Sequence, residues 1–202
     1  MTIYPVVMPV SRHVQQLSGR EKVAALSQCA RQALRLSARR LGIAMPELRK
    51  NNDDAPLAFD GYYWSVSHKP RYVAAVIGRD RIGIDIEEME PRRQDIFRYV
   101  ASEEEWQILG GKSRDSLYRC WTAKEAVVKS AGVGLAGLKS CRVLDVRNNV
   151  LSLSHDGQTY DIVQLCHDGH IVSVVSNGNV VEWVILQEAA GSQSGQQFTR
   201  DA

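Results

Sequence analysis

Three Asx-Gly pairs, Asp156-Gly157, Asp168-Gly169 and Asn177-Gly178, punctuate the C-terminal part of the chain and restrict its fold more than any other feature. Each lies between runs rich in β-branched residues, and such pairs accept the positive φ that a tight turn between antiparallel strands demands. The spacing predicts consecutive hairpins. Upstream, Ile82, Ile84 and Ile86 alternate with polar residues, the clearest two-residue period in the chain. That period sends Asp85 and Glu87 together to the opposite face of a strand. Residues 62–66 and 72–77 also read as strands, and the opening stretch, interrupted by Pro5 and Pro9, reads as a first one.

Helical spacing separates these strands. Val23, Leu26, Ala30, Leu34 and Leu41 recur at helical intervals across residues 19–41, and Gly42 offers a stop. Residues 102–109 and 116–131 read as two further helices, the first with Ser102 and Glu105 spaced as a capping box. The polar stretch Lys50-Asn51-Asn52-Asp53-Asp54-Ala55-Pro56 is a loop by composition, and Glu90-Pro91-Arg92-Arg93 a connector. The runs 72–78 and 171–177 share a pattern, which points to an internal duplication. The expected organisation is an α+β N-terminal half, 1–90, an α+β C-terminal half, 91–188, and a mobile Gly/Ser/Gln-rich tail, 189–202.

A chain of 202 residues suits one medium domain or two closely packed halves. Its apolar runs fall short of the ~20 residues that span a bilayer, so no membrane partner is expected. A net charge of +2 asks for no nucleic acid. The four cysteines form no CxxC pair, which favours a reducing compartment and a cytoplasmic location.

Two short segments hold the chemistry. Asp85 and Glu87 place like charges side by side on one strand face, a mild repulsion that a bound cation removes. Magnesium suits such a pair, because it takes one or two carboxylates and completes its shell with water and phosphate oxygens. Glu125 and Lys129 stand four apart on a helix, where they stack as an ordinary surface pair or serve a metal and a phosphate. Glu105 reads as a cap or as a catalytic carboxylate. Ser67-His68, with Lys69 and Arg71 nearby, offers a hydroxyl and an imidazole to an anion. Arg31, Arg35 and Arg39 stripe one helix face, either solvated or a dock for an acidic protein or a diphosphate. The run Gly132-Val133-Gly134-Leu135-Ala136-Gly137 matches GxGxxG literally, but it follows a helix, the reverse of a dinucleotide turn. Cys166-His167-Asp168-Gly169-His170 matches no common zinc spacing.

Ser67-His68, then Gly83-Ile84-Asp85-Ile86-Glu87, then Glu105, then Trp121-Thr122-Ala123-Lys124-Glu125-Ala126-Val127-Val128-Lys129 resemble, in that order, the motifs of the Sfp-type 4'-phosphopantetheinyl transferases. The resemblance implies a monomer of two similar α/β halves related by pseudo-twofold symmetry, with the active site between them. It implies transfer of 4'-phosphopantetheine from coenzyme A to a serine of an acyl or peptidyl carrier protein, releasing adenosine 3',5'-bisphosphate. By motif position, Asp85, Glu87 and Glu125 would hold Mg2+, Lys129 would contact the diphosphate, and Ser67 and His68 the nucleotide and its phosphates. Glu105 or Glu125 would accept the serine proton. The basic residue that family members commonly carry before a proline is replaced by Ala55-Pro56, which leaves Arg20 and Lys22 as candidates for the 3'-phosphate. The alternative is a non-catalytic coenzyme A or carrier-binding module with the same fold.

Overall fold

The computed structural model describes residues 1–51, 56–91 and 94–188. Residues 52–55 of the polar loop (Ala55 among them), Arg92-Arg93 of the connector and the tail lie outside the described residues. In chain order the elements are β1 (Thr2–Ile3), β2 (Val6–Pro9), α1 (Arg12–Gln16), α2 (Gly19–Arg40), β3 (Tyr63–His68), β4 (Tyr72–Gly78) and β5 (Ile84–Glu88). Then follow α3 (Phe97–Val100), α4 (Glu103–Ile108), α5 (Arg114–Ala131), β6 (Arg142–Arg147), β7 (Val150–His155), β8 (Gln158–His167), β9 (His170–Val175), β10 (Val180–Val181) and β11 (Val184–Ile185). The chain is thus a mixed α/β protein with mostly antiparallel sheets.

Two sheets dominate. One has the order β11-β2-β4-β3 and the other β5-β9-β8-β7-β6. α2 packs across β4 and β3, and α5 across β9 and β5. The alternation along β4 sends Val73, Ala75 and Ile77 into the core beneath α2. Its other face, Tyr72, Ala74 and Val76, joins Ile84, Ile86, Val172 and Val174 in a core between the two sheets. Both faces of β4 and β9 are therefore covered, which is why these strands read as near-continuous apolar runs.

The hairpin turns form as expected at two of the three pairs. Asp156-Gly157 and Asp168-Gly169 take positive φ at both residues and join β7 to β8 and β8 to β9. Asn177-Gly178 also has positive φ, but it leads out of the sheet: β10 pairs in parallel with β1, and β11 in parallel with β2. The opening stretch is likewise two strands rather than one, split around Tyr4 and Pro5. The strands also trade places between the halves. β5, early in the chain, pairs with β9 of the second sheet, while β11 returns to the first.

Helix ends follow local chemistry. Ser102 and Glu105 form the expected capping box on α4, and Ser113 with Ser116 forms a second one on α5. Gly132 closes α5 in the left-handed conformation.

Candidate functional site

Asp85 and Glu87 occupy the β5 face that looks toward α5, opposite the inter-sheet face of Ile84 and Ile86. The alternation seen in the sequence is real, but the polar face is roofed by a helix instead of water. Asp85 is only 4% exposed. From α5, Trp121, Glu125 and Lys129, spaced one turn apart, project toward it. Lys129 Nζ donates to Asp85 Oδ1 at 2.7 Å and to the Ile84 carbonyl at 3.1 Å. Trp121 Nε1 donates to Glu87 Oε1 at 3.2 Å, and Lys69 pairs with Glu87 Oε2 at 2.7 Å.

The third wall is β3. No main-chain ladder joins β3 to β5; serine side chains stitch them instead. The Ile84 N–H donates to Ser65 Oγ at 3.1 Å, and Ser67 Oγ donates to Asp85 Oδ1 at 2.8 Å. Asp85 Oδ2 is buried with no hydrogen-bond partner among the described residues. The site thus holds a carboxylate with one oxygen committed twice and the other left open.

Glu125 lies beside this pair, nearly buried, and no hydrogen bond or ion pair engages it among the described residues. Burial, with the negative charge of Asp85 next and Glu87 behind it, pushes its carboxyl up to about 7, although Lys129 and Lys69 pull the other way. His68 is shifted down by burial, then by the Lys129 charge, with Lys69 and Lys50 adding to it against the pull of its own backbone hydrogen bond. The shift favours the neutral imidazole.

Beyond His68 the site opens into a cleft of ≈ 350 Å³ between α2, the strand β3 and the end of α5. Arg31, Lys50, His68 and Lys129 line it together with Ser67 and Trp64, and no carboxylate does so among the described residues. Of the arginine stripe, only Arg31 reaches this cleft. Walls of one sign of charge attract anions.

Two expectations land elsewhere. Arg20 and Lys22 sit on the first turn of α2, and Lys22 Nζ is used by the Gln15 carbonyl at 2.9 Å. Eleven helical residues from Arg20 to Arg31 amount to about 16 Å, so neither early cation lines the cleft. Glu105 is also apart. One oxygen accepts from the Ser102 amide at 2.9 Å, and the other accepts from the Val143 amide at 2.9 Å and pairs with Lys124 at 2.7 Å. Lys124 in turn donates to the Val100 carbonyl at 2.9 Å, so this charge pair is a sealed structural knot. Spacing gave no sign of it, because the partners come from three separate segments.

Glycine and threonine in the motifs have structural tasks as well. A Cβ on Gly83 would lie 1.9 Å from the Ala126 carbonyl oxygen, so only glycine lets β5 approach α5 this closely. Thr122 Oγ1 shares a hydrogen bond of 2.7 Å with Ser173 on β9, and Gln164 donates to that same serine. This polar network fixes the roof helix over the sheet.

Among the described residues no group of three or more His, Cys, Asp or Glu is already gathered to hold a metal ion. Glu87 is tied to Trp121 and Lys69, and Asp85 is shared with Lys129. The donor set nonetheless suits magnesium, which needs one or two protein carboxylates: Asp85 Oδ2 is an orphaned acceptor, and Glu125 is crowded by two like charges.

Fold and site together define a mixed α/β protein with a buried carboxylate cluster, its Asp85 paired to Lys129 and its Glu87 to Lys69, at the mouth of a cleft lined by basic side chains. Comparison with known proteins narrows the class. The profile of the 4'-phosphopantetheinyl transferase superfamily matches residues 81–175. This segment contains Asp85, Glu87, Glu105 and the whole Trp121 to Lys129 run, and over it the family resemblance read from the motifs holds. Ser67 and His68 lie just before it. A 4'-phosphopantetheinyl transferase of Bacillus subtilis is 34% identical over 83 residues, covering 39% of this chain and 37% of the relative. The transferase Sfp of Bacillus subtilis strain 168 is 32% identical over 78 residues, 37% of this chain and 35% of the relative. Enterobactin synthase component D of Salmonella typhi is 32% identical over 105 residues, 48% of this chain and 45% of the relative. The chain therefore matches less than half the length of each of these curated relatives.

Proposed function

We propose that this protein transfers 4'-phosphopantetheine from coenzyme A to a serine of an acyl or peptidyl carrier protein in the cytoplasm. One observation supports this best: Ser67, Asp85, Lys129 and Glu125 converge where the cationic cleft meets the buried carboxylates. The cleft bearing Arg31, Lys50 and His68 takes the phosphorylated nucleotide, and Lys129 takes the diphosphate.

In the reaction the carrier serine oxygen attacks the phosphorus that bears pantetheine. The bond from that phosphorus to the bridging oxygen breaks, and adenosine 3',5'-bisphosphate leaves. Of the two candidate proton acceptors, Glu125 is the better placed. No hydrogen bond or ion pair engages its carboxyl among the described residues, which leaves an oxygen free to take the proton. Glu105 has both oxygens occupied. Asp85, Glu87 and Glu125 would hold Mg2+. Bound there, the ion would neutralise diphosphate charge and polarise the phosphoryl oxygen. Ser67 orients Asp85, Trp121 and Lys69 orient Glu87, and Lys129 balances the negative charge left on the departing bisphosphate.

Pseudo-twofold symmetry of two α/β halves belongs to the same reading. It is supported by two sheets that each have a buried strand, β4 or β9, beneath one long helix.

The test is incubation with coenzyme A, magnesium and an apo-carrier. A carrier mass increased by phosphopantetheine is the expected outcome; coenzyme A bound without any change in carrier mass would instead indicate a binding module.

A further inference from the structure

A second groove, of ≈ 380 Å³, lies over α3 and the turn before β6. The buried Lys124–Glu105 pair lies at its floor, each partner 3% exposed and each cancelling the other's charge. Its rim carries Arg98, Lys139 and Arg142, and none of these three forms an ion pair with a carboxylate among the described residues. Arg98 donates to the Tyr99 hydroxyl at 2.7 Å, and Arg142 donates to the Lys139 and Cys141 carbonyls. Three cations on one rim are therefore left without counter-charge among the described residues. Tyr99 stands among them 73% exposed, the most exposed large apolar side chain among the described residues.

The groove shares one wall residue with a slot beside the candidate site. Val100 lines both this groove and an apolar slot of ≈ 180 Å³ whose other walls include Trp121 and Glu87. A partner seated on α3 would thus lie against Val100, the residue whose other side lines the slot reaching Glu87 and Trp121.

We infer that this rim is where an acidic carrier protein docks: its carboxylates meet Arg98, Lys139 and Arg142, and its apolar surface covers Tyr99. The inference rests on the transferase reading. Charge complementarity selects the occupant, since three unneutralised cations reward a negatively charged surface. An exposed tyrosine beside arginines is the composition that interface centres favour. Three cations on a chain of net charge +2 form no extended track for a nucleic-acid backbone.

The experiment uses the full chain and a fluorescently labelled apo acyl carrier protein, with binding read by anisotropy and transfer read by carrier mass. The variants are the charge reversal Arg98→Glu/Lys139→Glu/Arg142→Glu, its Gln counterpart in case the reversal fails to fold, and Tyr99→Ala. The wild type is expected to bind the carrier more weakly as salt rises. The reversal should raise Kd and the carrier KM by about tenfold or more, the Gln counterpart by less, with the coenzyme A KM within about twofold. Wild-type transfer with unchanged carrier KM in the reversed and Gln variants would overturn the docking rim and leave the transferase reading standing. Absence of both binding and transfer in the wild type would overturn the two together.

Discussion

Gly83 touches Ala126: a Cβ added at Gly83 would stand 1.9 Å from the Ala126 carbonyl oxygen and 2.8 Å from the Ser130 nitrogen. Both obstacles are helix backbone, which cannot swing aside as a flexible side chain can. The contact sets how far α5 stands from β5, and so how far Glu125 and Lys129 stand from Asp85. Gly83→Ala should destabilise the fold by about 1–3 kcal/mol through overpacking. A thermal melt would show this as a Tm lower by several degrees, together with a large loss of transfer. An unchanged melt would contradict the packing argument.

Arg31 and Arg20 separate the structural account from the spacing-based one. Arg31→Ala removes a cation from the cleft wall and should raise the coenzyme A KM by roughly tenfold, in line with ~1.5 kcal/mol for a charge-assisted hydrogen bond. Arg20→Ala should leave it unchanged. Steady-state kinetics with coenzyme A as the varied substrate reads both. The reverse pattern would move the phosphate site to the start of α2.

How much of this was legible beforehand divides by range. Local chemistry was readable: the Ser102–Glu105 capping box, the Asp156-Gly157 and Asp168-Gly169 turns, and the common face of Asp85 and Glu87 all follow from neighbours in sequence. The ordered motifs were readable too, and the superfamily match falls on all of them except Ser67-His68. What stayed hidden depends on pairing at a distance. Nothing local reveals that Asn177-Gly178 leads to parallel pairing with β1, or that β5 joins the second sheet. Lys124 stands beside Glu125 in one motif, yet its partner Glu105 comes from another helix. Arg31 drew notice as part of a stripe, but only the packing of α2 against β3 singles it out from Arg35 and Arg39.

The Lys124–Glu105 pair predicts an acid limb of stability. Burial alone would raise the Glu105 carboxyl, but the hydrogen bond from Lys124 and the amides of Ser102 and Val143 outweigh it, and the net shift is downward. A depressed folded pKa contributes stability above the unfolded value, lost as pH falls below the ordinary 4.5 and through the folded value. Glu105→Gln should flatten that part of the stability curve. Lys124→Ala, which strands a buried carboxylate, should cost about 3–5 kcal/mol at neutral pH. Denaturant midpoints across the acid range measure both effects, and curves for Glu105→Gln parallel to the wild type would count against the pair.

Glu125 predicts the opposite slope. Its carboxyl is pushed up to about 7, so the folded state favours the proton. Without metal, stability from this group is present below the ordinary 4.5 and lost as pH rises through about 7. Magnesium binding should displace that proton and recover the loss on the alkaline side. Melts at pH 5.5 and pH 8 (conditions of roughly mostly protonated and mostly ionised carboxyl), each with and without magnesium, should show the larger gain at the higher pH. Glu125→Gln should abolish the difference, and an equal gain at both values would remove Glu125 from the ion's surroundings.

Transfer of phosphopantetheine, as distinct from coenzyme A binding alone, is the activity proposed for the cluster of Ser67, Asp85, Glu125 and Lys129. The direct measurement is a single-turnover reaction with magnesium and an apo-carrier, in which modified carrier and adenosine 3',5'-bisphosphate are quantified together. Equal amounts of the two products are expected from the wild type and neither from a folded Asp85→Ala variant. Bisphosphate without modified carrier, or full turnover by Asp85→Ala, would contradict it.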